Sequence, residues 1–173
     1  MVPLSAGALP KNCRLAEWND ITGLGAGCSG CYLAEVSTAA EAVERINAFR
    51  AAGLKIQVLG AGMNFVGTDE VLQDTVFIKL ARGAEFSSLQ RSGDLILAGA
   101  ACSLGEIVRF ALGCGLGGAS GLSGIPGTLG GALAMNAGAK GICIADLVRE
   151  VRMISLSAGQ PREFALPPDG LGF

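Results

Sequence analysis

Residues 115–141 read GLGGASGLSGIPGTLGGALAMNAGAKG: glycines gathered around one proline, then an abrupt change to small apolar side chains. Glycine in such a loop lets the backbone approach a ligand closely or take positive φ, and its successive N–H groups cradle anionic oxygens. Pro126 removes one donor, holds its own φ and biases Ile125 towards an extended conformation, so Ser123-Gly124-Ile125-Pro126-Gly127-Thr128 reads as a rigid turn. Behind it, residues 129–135 are apolar and small, and they predict a helix whose N-terminal amides face the same anion. The plainer alternative is a glycine-rich core loop with a packing role only.

The chain around this stretch has 173 residues, half of them apolar and 16% charged, which suits a folded core and argues against disorder. A formal charge of −2 supplies no electrostatic reason to expect nucleic acid. No apolar run approaches the roughly 20 residues that cross a membrane. The opening MVPLSAGALPKN lacks the basic leader and apolar core of a secretory signal, so the expected location is cytoplasmic. With no histidine, a histidine-dependent triad and a histidyl flavin linkage are excluded, and no paired-carboxylate motif stands out. Cys28 and Cys31 form one CxxC, but no second CxxC completes a zinc site. The six cysteines therefore read mainly as buried small hydrophobes or free thiols, with no metal expected.

Taken in order, residues 10–20 read as an irregular arm and 32–36 as the first strand. Ser37 and Thr38 cap a helix over 39–52, with Glu41 in the capping-box position. Ala42, Val43, Ile46 and Phe49 fall near one stripe of it, and Gly53 stops it. Residues 55–59 form a second strand that runs straight into Gly60-Ala61-Gly62-Met63-Asn64. A strand, a glycine turn and a polar residue suit a phosphate cradle, with a purely structural turn as the alternative. After Val71 and Leu72, a strand over 75–80 closes a first α/β lobe, residues 1–80. A second α+β lobe, 81–173, has a strand at 95–98 and a helix at 101–112. That helix carries Leu104, Ile107, Val108 and Ala111 on one stripe, Gly113 as its terminator, and Glu106 paired with Arg109 on the solvated face. Lys140 reads as a solvated loop tip. Residues 148–156 read as a strand, Ser157-Ala158-Gly159 as a turn, and Phe164 as the start of a last short segment.

Gly124-Ile125-Pro126-Gly127-Thr128-Leu129-Gly130-Gly131-Ala132, followed by Met135-Asn136-Ala137-Gly138-Ala139 and Gly141, resembles the flavin-site signature of the UDP-N-acetylenolpyruvoylglucosamine reductases, also called UDP-N-acetylmuramate dehydrogenases. The resemblance implies a two-lobed α+β FAD-binding domain of the vanillyl-alcohol oxidase and para-cresol methylhydroxylase type. It holds FAD noncovalently, with the lobes expected to meet near residues 79–85 and the FAD spanning them. It places cofactor contacts at Gly60, Ala61, Gly62, Met63, Asn64, Ser123, Gly124, Ile125, Pro126, Gly127, Thr128, Gly130, Gly131, Asn136 and Gly138. Neither loop carries Lys or Arg, so the expected anion donors are backbone N–H groups at 60–64 and 127–131.

The family uses NADPH to reduce the enolpyruvyl ether of a UDP-sugar in peptidoglycan precursor synthesis, which implies a UDP-sugar substrate, no nucleic-acid or membrane partner, and a monomer. Several positions depart from the family pattern. Met63 stands where members carry serine, which removes one hydroxyl donor. Thr22, Gly23 and Gly25-Ala26-Gly27 resemble a loosened form of the family's threonine and Gly-Gly pair. Ala119-Ser120-Gly121 stands where an acidic residue is common, and Lys140 where many members have tyrosine. In the family, the equivalent of Gly172-Phe173 continues into Gly-Tyr-Arg and then a substrate domain with the proton donor. The expectation is therefore the FAD-binding part alone, with no catalytic residue assigned and no enzyme-like turnover from these 173 residues. A flavin module without reductase activity, another oxidoreductase of the same flavin fold, and a non-flavin structural fragment are the alternatives.

Overall fold

The computed structural model describes residues 13–27, 29–70, 72–155 and 163–172. The chain forms two compact units that divide between Ala81 and Arg82. In the first, β1 (Arg14–Glu17) runs antiparallel to β2 (Gly30–Val36), with Arg14 opposite Leu33. The helix α2 (Ala39–Ala51) carries the chain over to β3 (Lys55–Leu59), and β4 (Leu72–Leu80) then inserts between β2 and β3, parallel to both. The strand order is β1-β2-β4-β3. A parallel strand covered on both faces reads as a continuous apolar run rather than an alternation. In β4, Thr75, Val76, Phe77 and Ile78 are buried in succession, as that position requires.

Local chemistry explains α2. The Thr38 hydroxyl accepts the Glu41 N–H at 3.1 Å, and the Glu41 carboxylate accepts the Ser37 N–H at 2.8 Å. Ala39, Ala42, Ile46 and Phe49 are buried, whereas Val43 is half-buried. Gly53, with φ +74°, sends its N–H to Arg50 O, and Leu54 sends its own to Phe49 O, closing the helix with a left-handed glycine cap.

The expected irregular arm is instead β1 followed by a short helix, α1 (Trp18–Ile21), across residues 14–21; residues 10–12 lie outside the described residues. Only Ala16 of β1 is buried, so the strand has almost no apolar signal of its own and exists through its ladder with β2. Trp18 of α1 is fully buried. It stacks on Phe65 at 5.3 Å and meets Phe77 edge-on at 5.2 Å, which anchors the first core with Ile21, Cys31, Leu33 and Leu59.

In the second unit, β5 (Leu89–Ser92) and β6 (Leu95–Ala98) form a hairpin, and α3 (Leu104–Gly113) buries Leu104, Ile107, Val108 and Ala111. Burial of an aliphatic side chain contributes roughly 1.5–3 kcal/mol, so this stripe holds the second core, with Cys102, Leu122, Ala132 and Ile144 packed against it. Gly113 is the last helical residue, not the terminator. The left-handed position falls at Gly115, φ +70°, whose N–H reaches Leu112 O while Leu116 N–H reaches Ala111 O. Glu106 does not pair with Arg109. Its carboxylate accepts the Ser103 N–H at 2.8 Å and the Ser103 hydroxyl at 2.7 Å, completing a capping box, and its ion pair is with Arg82. These hydrogen bonds, from the Ser103 hydroxyl first and then the Ser103 backbone and Arg82, hold its carboxyl down to about 2.

The remaining elements are short. They are α4 (Leu129–Ala134), a hairpin of β7 (Gly138–Ala139) and β8 (Ile142–Cys143), and an antiparallel pair of β9 (Val151–Ile154) and β10 (Glu163–Leu166). The expected strand at 148–156 starts only at Val151, because Leu147 and Val148 both donate to Ile144 O and stay in a turn. Leu156 and the expected turn Ser157-Ala158-Gly159 lie outside the described residues. Among the described residues no helix is long and apolar enough to cross a membrane, and no group of three or more metal-ligating side chains occurs. Cys31 and Cys102 are buried and Cys13, Cys114 and Cys143 half-buried, all as free thiols; Cys28, and with it the CxxC pair, lies outside the described residues.

Candidate functional site

In the first unit, β3 ends at Leu59 and delivers the loop 60–64 at once. Gly62 is buried with φ +68°, and its carbonyl accepts the Gly23 N–H at 2.9 Å. A Cβ there would overlap the Ile21 carbonyl oxygen and come within 2.7 Å of Thr22 Cα, so this turn needs glycine both for its φ and for its close approach. Among the described residues, the N–H groups of Ala61, Gly62 and Met63 make no hydrogen bond within the protein. They form three successive donors with no Lys or Arg beside them in the loop. Met63 is 43% exposed and lies over Gly23. Asn64 is exposed at the end of the loop.

In the second unit, the signature is laid along the segment that leads into α3. Leu104 N–H reaches Gly127 O at 3.1 Å, and Leu129 N–H reaches Cys102 O at 2.8 Å, bracketing a bridge between Ser103 and Thr128. Gly130 N–H is bonded to Ala100 O at 2.9 Å, and Gly131 N–H is 3.4 Å from the Thr128 hydroxyl. The expectation that the first amides of the helix face an anion is therefore corrected. α4 has six residues, and its leading N–H groups are used to clamp it to residues 100–102. The donors left without a partner among the described residues sit earlier, at Gly124, Gly127 and Thr128. Gly124 has φ +86° with open space where a Cβ would stand, and Gly127 has φ +124°. Pro126, exposed between them, carries no N–H; Ile125 is half-buried against the second core and sends its N–H to Leu122 O, and Ser123 is exposed.

Two signature residues have local structural duties. Asn136, φ +42°, is the left-handed cap of α4: its N–H reaches Leu133 O, Ala137 N–H reaches Ala132 O, and its side-chain oxygen accepts Ala145 N–H at 3.3 Å. Gly138 lies in β7, where a Cβ would come within 2.9 Å of Cys143 Cα. Lys140, φ +55°, and Gly141, φ +81°, form the two-residue tip of the β7–β8 hairpin, both exposed, in the backbone shape that such tight hairpins favour. A shallow depression lined by Gly138, Ala139, Gly141, Ile142, Cys143 and Asp146 lies on that hairpin. The Asp146 carboxyl is held below its usual range by the Cys143 N–H at 2.8 Å and then the Cys143 thiol. Thr22 and Gly23, which lie outside the expected contact residues, also hold the loop 60–64, and their signal in the sequence is the Thr-Gly pair ahead of the first strand.

The FAD binding domain family matches residues 32–164. The chain belongs to that family, and its fold is the α+β FAD-binding domain of the vanillyl-alcohol oxidase type. Within the family its similarity is to the FAD-binding part of UDP-N-acetylenolpyruvoylglucosamine reductases. It is 34% identical over 160 residues to the reductase of Nocardia farcinica, covering 92% of this chain and 39% of that protein. It superposes on the solved UDP-N-acetylenolpyruvylglucosamine reductase from Thermus caldophilus with a TM-score of 0.73 at 32% identity, covering 93% of this chain and 54% of that one. A cholesterol oxidase from B. sterolicum shares the fold alone, with a TM-score of 0.69 at 16% identity, covering 96% of this chain and 35% of that one. The chain spans about two-fifths of the length of the curated relatives it matches first, 40% and 39%.

Proposed function

We propose that this chain is the FAD-binding part of an NADPH-dependent reductase that converts UDP-N-acetylenolpyruvoylglucosamine to UDP-N-acetylmuramate, a step towards peptidoglycan and so towards cell shape and division. The observation that carries the reading is the coincidence of the signature match with two loops that hold unpartnered backbone donors, Ala61, Gly62 and Met63 in one and Gly124, Gly127 and Thr128 in the other. Such donors suit anionic phosphate oxygens, and neither loop contains a carboxylate to oppose them. Bound FAD supplies the redox chemistry; this chain's residues bind and orient it. Ser123, Ile125, Pro126, Gly130, Gly131, Asn136 and Gly138 shape the signature loop, while Gly60 and Asn64 flank the donors of the other. The working enzyme is a cytoplasmic monomer that takes a UDP-sugar.

Titration of the apo-protein with FAD, followed by flavin fluorescence, tests the first half of the reading: saturable binding is expected, and its absence overturns it. For the second half, the longer protein that contains these residues is loaded with FAD and reduced by NADPH without oxygen. Addition of UDP-N-acetylenolpyruvoylglucosamine should then reoxidise the flavin, and a flavin that stays reduced leaves a module without reductase activity.

A further inference from the structure

The loop 60–64 does not stand by itself. Its backbone is held by a segment about 40 residues earlier in the chain, and four observations in the first unit bear on how. The Gly23 N–H is bonded to Gly62 O at 2.9 Å. Gly62 is buried and sits so close to Ile21 and Thr22 that even a methyl group is excluded. Thr22 is itself only 8% exposed, and its hydroxyl is bonded to Trp18 O at 2.8 Å, so the segment is tied to the fully buried Trp18. Finally, the Met63 side chain fills the space over Gly23: a Cβ on Gly23 would overlap the Met63 methyl and lie 2.9 Å from its sulfur and 3.3 Å from its Cα.

We propose that Thr22 and Gly23 are positioning residues for the loop 60–64, and that the Met63 side chain seated on Gly23 sets the aim of the Ala61, Gly62 and Met63 amides and hence the affinity for the diphosphate of FAD. This rests on the FAD reading above. The physical basis is that backbone donors bind an anion well only when fixed beforehand, because each residue ordered during binding subtracts from the affinity. A loop bonded at Gly62 and pressed down at Met63 retains little freedom of its own. A thioether suits the second contact, since it is unbranched and fits an irregular gap. The residue that removes a hydroxyl from the loop therefore supplies a clamp in its place.

The test is a double-mutant cycle on FAD affinity in the intact protein, using G23A, M63A and the pair. Wild type must first bind FAD; if it does not, it is the FAD reading that fails. With binding established, M63A, which trims a half-exposed side chain and leaves the fold intact, should weaken FAD about fivefold. G23A should weaken it at least as much, by displacing the Met63 side chain from its seat. The double variant should bind about as M63A alone does, because the overlap with the Met63 methyl and sulfur is then gone and only the 3.3 Å approach to the Cα at position 63 remains. Independent effects, in which the double variant loses the product of the two single losses, overturn the proposal. So does an M63A variant with unchanged affinity, a result that stands even if G23A does not fold. A role in stability alone is separated by the melting temperature of the apo-proteins: a fall in melting temperature with unchanged FAD affinity also overturns it.

Discussion

Gly53 and Gly62 offer a controlled comparison, because they share a backbone conformation, φ +74° and +68°, and differ in what surrounds them. Nothing lies within 4 Å of a Cβ at Gly53, whereas at Gly62 it would overlap the Ile21 carbonyl oxygen and lie 2.7 Å from Thr22 Cα and 3.1 Å from the Ile21 carbonyl carbon. Alanine in the left-handed region costs roughly 1–2 kcal/mol, from which the lost freedom of the unfolded chain recovers about 0.4–1 kcal/mol. Gly53→Ala should therefore lose about 1 kcal/mol. Gly62→Ala carries the same conformational cost, and in addition backbone, not a flexible side-chain end, must move, as in an overpacked core, for roughly 1–3 kcal/mol more. The total of about 2–4 kcal/mol spans one to three powers of ten in the folding equilibrium. Urea unfolding of both variants, with the slope compared to wild type, gives the difference directly. FAD titration of the same samples should show Gly53→Ala unchanged and Gly62→Ala impaired. If the two variants lose equal stability, the argument from the close approach of loop 60–64 to Ile21 and Thr22 is wrong.

Three further outcomes follow from the geometry. Gly127→Val should damage FAD retention, because a β-branched side chain cannot hold φ +124° in the turn that carries the Gly127 and Thr128 donors; flavin fluorescence titration that matches wild type would assign the loop a structural role only. Ser103→Ala removes the cap of α3 and should cost about 1 kcal/mol at pH 7. Glu106 is held down to about 2 chiefly by that serine, so the stabilisation is full above the ordinary carboxylate value of about 4.3 and is lost as pH falls towards 2. The gap between wild type and variant should thus narrow progressively from about pH 5 down to about pH 2, and a gap that widens in acid would contradict the assignment. Burial pushes the Cys31 thiol up to about 11, so a disulfide exchange reagent at neutral pH should label half-buried Cys143 and leave Cys31 unmodified until the protein unfolds.

What could be read from the sequence was local in origin. The Thr38 cap, the Gly53 stop and the buried stripes of α2 and α3 each depend on residues a few positions apart, whose spacing is visible in a string of letters. The glycine signature was legible for the same reason: a flavin-type loop needs contiguous small residues, and its family resemblance carried the fold class. Contacts between distant segments were decided by the tertiary structure alone. β1 has one buried residue and is a strand only because β2 lies beside it, and the place of β4 between β2 and β3 appears in no periodicity. Glu106 had Arg109 at helical spacing, yet Arg82, 24 residues away, is its partner. The donors of the signature are the clearest case. The sequence showed that residues 124–131 are rich in glycine, whose backbone N–H groups could serve as anion donors. Only the packing of α4 on residues 100–102 decided which were already bonded, because a hydrogen-bonding group forced against another backbone takes the acceptor it meets there, leaving Gly124, Gly127 and Thr128 without a partner among the described residues.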